Sequence, residues 1–263
     1  MTEQVRKAGK RGLRLEARGA LHDQLNLTNF LKDGITPVSD WVPFDSIGKL
    51  DPHNLGMDYN DSLGCCGFAA ADHGNVVVTQ NAAKIGGLYT PPFSNLADAY
   101  WAYGRQQGEP GLQPDEGVVN STFAPWLLKN GFIKGLASVP TEYASWAASL
   151  FGGAMCGIVL DSNADQDFES TPQVPWGSRG ETVEPTEGHD VWFAKALPED
   201  KVLPGNYKTA GEFITWGATQ PFTKEFFETN VSDVWVFFYS DDPNSVIDWE
   251  KLEPVLKDLN GTF

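Results

Sequence analysis

Two cysteines open a run of small residues, Leu63-Gly64-Cys65-Cys66-Gly67-Phe68-Ala69-Ala70-Ala71, and a histidine follows a glycine far downstream, in Gly188-His189-Asp190-Val191. A thiol and an imidazole suffice for nucleophilic catalysis near neutral pH: the thiolate attacks, and the imidazole takes the proton and returns it. Sulfur at the start of a helix sits among unpaired backbone N–H groups, at the positive end of the macrodipole, where the thiolate is favoured. Gly64 and Gly67 permit a tight entry into such a helix, and the three alanines propagate it. Only one of the two adjacent thiols can face a substrate.

The chain has four histidines. His73 lies two turns beyond Cys66 on the same expected helix, which puts its backbone roughly 10 Å away. That is too far for a thiolate–imidazolium pair. His22 falls in the N-terminal segment and His53 in the loop before the cysteines, and neither has flanking residues that would fix an orientation. His189 opens the apolar run Val191-Trp192-Phe193-Ala194, which reads as a buried strand. A histidine beside such a run also serves as a structural residue, but with Cys66 upstream and Trp216-Gly217 downstream it is the candidate base.

Thiol, histidine and Trp-Gly in that order resemble the papain-like cysteine peptidase superfamily. Gly64 to His73 is similar to the Gly-x-Cys-x-x-Ala-Ala-Ala-x-His segment of the divergent papain-fold proteins encoded by tailed bacteriophages. The resemblance extends loosely to Asp115-Glu116-Gly117, to the stretch from Trp126 to Gly135, and to Thr215-Trp216-Gly217-Ala218 with Phe226-Phe227.

It implies that Cys66 is the nucleophile, and that the amide six residues upstream, Asn60, joins the Cys66 N–H in an oxyanion hole. Such donors lower a barrier by several kcal/mol. The family has Gln at that position, so Asn60 is shorter than expected. Asp61 is the alternative, although a carboxylate would repel an oxyanion. The family also has an orienting Asn two residues before Trp-Gly, where this chain has Ile214. Isoleucine cannot bond an imidazole, so Gln220, Thr215 or a backbone carbonyl must hold His189, with Trp216 and Gly217 in support. The implied function is a phage-encoded peptidase or amidase acting on a peptide or protein, without metal or cofactor. The alternative is a weakened or inactive papain-fold component of a virion.

Charge is unevenly spread. Residues 1–18 carry six basic side chains (Arg6, Lys7, Lys10, Arg11, Arg14, Arg18) and two acidic ones, leaving 13 basic and 33 acidic groups on the other 245 residues, a net −20. An acidic body argues against nucleic-acid binding. The Arg6 to Arg18 arm reads either as a solvated tail or as a dock for an acidic surface, such as a capsid or tail subunit. Three cysteines, two of them adjacent, make neither a disulfide framework nor a zinc motif. No apolar run is long enough to span a membrane, and the basic N-terminus lacks a signal core. Synthesis in the cytoplasm is expected, with incorporation in a virion as a further step.

The elements that must position these groups predict an α+β fold of the papain-like kind, with a cysteine helix packed on an antiparallel half-barrel. The expected divisions are an arm and lead-in over 1–40, the papain-like domain over 41–240, and a tail over 241–263. Helices are expected from Cys66 to about Lys84, stopped at Gly86-Gly87, and over 95–107, 121–130 and 248–259. Strands are expected over 154–160, 191–196, 212–216 and 234–239. Residues 161–187 read as a long surface loop and 198–205 as a smaller insertion. Asp161, Asp165 and Asp167 lack the glycine and the closing glutamate of a calcium loop and read as solvated acids. The nine tryptophans read as core rather than as a sugar platform.

Overall fold

The computed structural model describes residues 6–48, 55–83, 95–106, 115–179, 187–239 and 246–262. His53 and the Gly86-Gly87 stop lie outside them. The cysteine helix is α2 (Cys66–Ala83), preceded by a short α1 (Ala20–Gln24) and a two-residue strand β1 (Phe44–Asp45). Helices α3 (Leu96–Gln106) and α4 (Asn120–Lys129) follow. The second half carries β2 (Gly135–Ser138), α5 (Ala144–Phe151), β3 (Ala154–Leu160), α6 (Ala164–Glu169), β4 (Glu187–Leu203), β5 (Tyr207–Thr215), β6 (Ala218–Phe222), α7 (Lys224–Asn230), β7 (Val231–Phe238) and α8 (Trp249–Thr262).

The strands form one antiparallel sheet in the order β2-β7-β3-β4-β5-β6, with β1 added to β4. One face is aromatic: Phe193, Phe213 and Phe222 are buried together under Phe227 of α7, with Phe213 and Phe222 stacked at 4.1 Å between ring centroids. Each such side chain contributes roughly 1.5–3 kcal/mol by leaving water. Helix α2 lies against β4, and Gly74 allows the approach, since a Cβ there would fall 2.5 Å from the Trp192 ring.

Residues 198–205 take part in a hairpin: β4 runs on, with a register shift between Ala196 and Lys201, to pair with β5 down to Leu203↔Tyr207, closing at Gly205 and Asn206 with positive φ. One expectation is corrected. The stretch after Asp161 is not a simple surface loop. It contains α6, and it buries Phe168 and Trp176 against Trp216 at 5.0 and 6.0 Å between centroids. The lead-in is woven into the sheet half: Ser138 N donates to Leu25 O, and Leu31 bridges Ile247.

Candidate active site

Strand β4 carries the imidazole. Successive side chains of a strand point to opposite faces, so His189 and Asp190 part company. Asp190 turns toward α2 and α4, while the His189 ring lies on Trp216, 4.7 Å between centroids and 30° from parallel. Trp216 and Gly217 form the two-residue turn between β5 and β6 with φ of 45° and 71°, the left-handed pair that a tight hairpin requires. That turn aims the indole at His189. Thr215, the last residue of β5, places Oγ1 2.6 Å from His189 Nε2. Nδ1 of His189 has no hydrogen-bond partner.

Of the two side chains proposed to replace the missing Asn, Thr215 therefore holds the histidine and Gln220 does not. Gln220 is buried with its amide committed to Val174 O, Pro221 O and Gln173 Nε2.

Cys66 opens α2 and is wholly buried. Its thiol faces Asp190: Sγ accepts from Asp190 N at 3.3 Å and lies 3.8 Å from Asp190 Oδ2. Gly67 makes room, since a Cβ there would stand 3.0 Å from that carboxylate oxygen. The thiol thus meets Asp190, the neighbour of His189 on β4, and no hydrogen bond joins thiol to imidazole. Burial first, and then the Asp190 charge, hold the Cys66 thiol well above the usual range. Burial, followed by the positive charges of Arg11 and His73, pushes His189 down to about 3. Both groups are uncharged in this state. Cys65, whose role the sequence left open, is buried and donates to Asp58 O at 3.4 Å, with its pKa pushed up to about 12 by burial.

Asn60 is buried at the end of the turn 57–60. With its amide oriented to meet acceptors, Nδ2 donates to Lys10 O at 2.7 Å and Leu63 O at 3.2 Å, while Lys10 N donates to Asn60 O at 2.5 Å. Trp216 Nε1 reaches the same Lys10 carbonyl at 3.5 Å. Asp61 forms a hydrogen bond with Ser62 Oγ at 3.3 Å.

Lys10 belongs to the basic arm, which runs along Asn60, Val118 and Gly188. Leu13 N donates to Gly188 O (3.2 Å), Val118 N to Gly12 O (2.6 Å) and Arg14 N to Val118 O (2.7 Å). Gly12 is pressed so closely on Gly64 and Gly117 that a Cβ on it would overlap the Gly64 carbonyl. A cavity of about 600 Å³ remains alongside, lined by Lys10, Arg11, Leu13, Asp115, Asp165 and Gly188. The arm's cations meet acids of the same chain: Lys10 pairs with Asp115 (3.0 Å), Arg11 with Asp165 (2.6 Å) and Arg14 with Glu116 (3.6 Å). Asp167, expected to be solvated, is instead buried against Arg179 at 2.9 Å.

Among the described residues, one set of side chains has metal-ligand types. Glu16, His22 and Asp233 bring donor atoms within 4.8 Å of one another. They do not fit a cation. Gly19 N donates to His22 Nδ1 at 3.1 Å, which leaves the ring proton on Nε2, the atom that would have to ligate. Both Glu16 oxygens already accept from Ser121, at 2.7 and 2.6 Å.

The comparisons agree with this geometry at the level of fold. No family model matches the chain, and no curated protein matches it. Among solved structures the chain is similar to xylellain, a cysteine protease from Xylella fastidiosa, with a TM-score of 0.53 and 11% identity, over 92% of this chain and 100% of that one. The chain therefore shares the fold of that protease, α+β with the cysteine helix set against an antiparallel sheet.

Proposed function

We propose that the chain is a papain-like cysteine hydrolase, a peptidase or amidase, held in an uncharged resting state by its own N-terminal segment. The observation that carries this reading is the grip on the arm. An extended peptide lies in the cleft, held through its main chain by Asn60, Val118 and Gly188, with Asn60 donating to a peptide carbonyl. Those contacts ignore side chains, so a substrate backbone can make them in the arm's place.

In the working state the thiol turns from Asp190 to His189 Nδ1 and passes its proton there. The thiolate adds to the substrate carbonyl, and Asn60 Nδ2 with the Cys66 N–H stabilises the oxyanion. His189 returns the proton to the leaving amine, and water then releases the acyl group from Cys66 by the reverse use of the same imidazole. Thr215 keeps the ring's Nε2 edge fixed throughout. Departure of the arm would also remove Arg11, one of the two charges that oppose the imidazolium.

The likeness of Gly64 to His73 to phage-encoded papain-fold proteins supports a viral setting, with a virion protein, a host protein or a cell-wall peptide as substrate. The second reading, a binding protein that keeps the shape without turnover, draws on the placement of Cys66 against Asp190. Hydrolysis of casein by chain released from its arm, abolished by Cys66→Ala and by His189→Ala, tests the first reading. Arm-free chain that binds casein without cleaving it would favour the second.

A further inference from the structure

Asn60 sits at the end of a short turn whose shape is costly. Asp58 and Tyr59, consecutive and neither of them glycine, have φ of 51° and 63°. Such residues persist only where the surroundings over-determine them. The hydrogen bonds within the turn, Asn60 N to Met57 O (2.9 Å) and Leu63 N to Tyr59 O (2.9 Å), are local and would form in other conformations too. The constraint comes from α2. His73, buried on its third turn, donates from Nε2 to Gly56 O at 2.9 Å and lies 3.1 Å from Asp58 Oδ2. Cys65, at the head of the same helix, donates to the Asp58 carbonyl. Asp58 is thus held at its carboxylate by one residue and at its main chain by another. On the other side Gly217 packs on Gly56 and Met57, where a Cβ would stand 3.3 Å away.

We propose that His73 is a positioning residue for the oxyanion donor: acting through Asp58, and with Cys65 as the second hold, it fixes where the Asn60 amide points. The inference rests on the proposed hydrolase reading for its catalytic meaning, but the mechanical claim stands apart from it. The Nδ1 of His73 makes no hydrogen bond, so beyond the effect of its charge on His189 the side chain is committed to this turn.

The charge of the pair adds to the hold. Burial by itself would lower the pKa of His73, but the adjacent Asp58 carboxylate, the Gly56 carbonyl and Asp72 together raise it. The groups that face it are Asp58 from the turn, Asp72 from α2 and, from β4, His189, with Tyr239 behind Asp72. Because the folded pKa is raised, the ionic part of the hold is complete below the ~6.5 of a free imidazole and is lost as pH rises through the higher folded value.

Amide hydrogen exchange on the full chain tests the mechanical claim. Peptides covering 57–63 should exchange about tenfold faster in His73→Leu than in the parent, with α2 peptides unchanged, and His73→Gln, which keeps an N–H donor but no charge, should fall between. In the parent, exchange corrected for its intrinsic pH dependence should quicken in 57–63 as His73 loses its proton. Equal protection of 57–63 in all three proteins would overturn the inference.

The catalytic meaning is read in a Gly12→Val background, where the arm cannot sit against Gly64, with a tripeptide aldehyde, whose hemithioacetal places an oxygen in the hole, and with iodoacetamide, which needs no hole. His73→Leu should weaken the aldehyde as much as Asn60→Ala does, and the double variant should be no worse than either, while iodoacetamide labelling of Cys66 should not slow, since loss of the His73 charge eases protonation of His189. Additive losses would overturn the positioning role. An aldehyde that binds no variant, together with altered exchange, would sink the hydrolase reading and leave the clamp on Asn60 standing.

Discussion

His189 Nε2 is 2.6 Å from Thr215 Oγ1, so the ring is held from the residue next to Trp216 rather than from position 214, where papain-like enzymes have Asn. Residue 214 is on the opposite face of β5: Ile214 is buried in the core and pairs across to Thr219. A hydroxyl is a shorter reach than an amide, and moving one position along the strand brings it to the histidine's face.

Thr215→Val keeps the shape of the side chain and removes the partner of Nε2. We expect kcat/KM on casein to drop by about 10- to 100-fold, short of the 10²–10⁴ that a general base supplies in full. Thr215→Ser should recover most of the parent rate. An unchanged rate in Thr215→Val would show that something else orients the ring.

The resting imidazole should resist protonation. Burial and the charges of Arg11 and His73 push His189 down to about 3, so its NMR signals should stay those of a neutral ring from pH 8 to about 4. Arg11→Gln removes one opposing charge, and protonation should then begin at a higher pH. Titration of His189 near 6.5 in the parent chain would mean that the cleft is open to water.

Much of this arrangement was legible in the sequence, and the limits are physical. Residues 154–160 form β3 as expected because an uninterrupted apolar run is bounded by Gly152-Gly153 and Asp161. Helix α5 escaped notice because Ala144–Phe151 is buried on most sides and has little polar face to mark a 3.6-residue period. Candidates for the orienting group could be named, but choosing Thr215 over Gln220 needed the register of β5 on β6. Cys66 against Asp190 pairs residues 124 apart, and no local pattern encodes it. The charge asymmetry was plain, whereas its partner was not, because Asp115, Glu116 and Asp165 become a surface for the arm only after folding.

Glu16 joins the arm to α4 by accepting from both Ser121 N and Ser121 Oγ. Glu16→Ala leaves the first turn of that helix without its acceptor and should cost about 1–2 kcal/mol, read as a lower urea midpoint with an unchanged slope. It should also speed proteolysis within residues 6–18. Identical midpoints would mean that the arm adds nothing to the stability of the body.

The two thiols should behave differently. Cys66→Ala is expected to abolish hydrolysis, while Cys65→Ala should only weaken it, by loosening the hold on Asp58 rather than by removing a nucleophile. The reverse ranking, read from casein turnover, would reassign the reacting sulfur to Cys65.

The most direct test of a latent thiol–imidazole site is iodoacetamide labelling at each cysteine across pH 5–9, followed by mass spectrometry, on the parent chain, Gly12→Val and Gly12→Val with His189→Ala. Valine cannot be accommodated opposite Gly64, so the arm must leave the cleft. The account predicts slow labelling of Cys66 in the parent, fast labelling below pH 7 in Gly12→Val, and loss of that speed in the double variant. Labelling of Cys66 in Gly12→Val that remains slow and follows an ordinary thiol titration near 8.5 would contradict it.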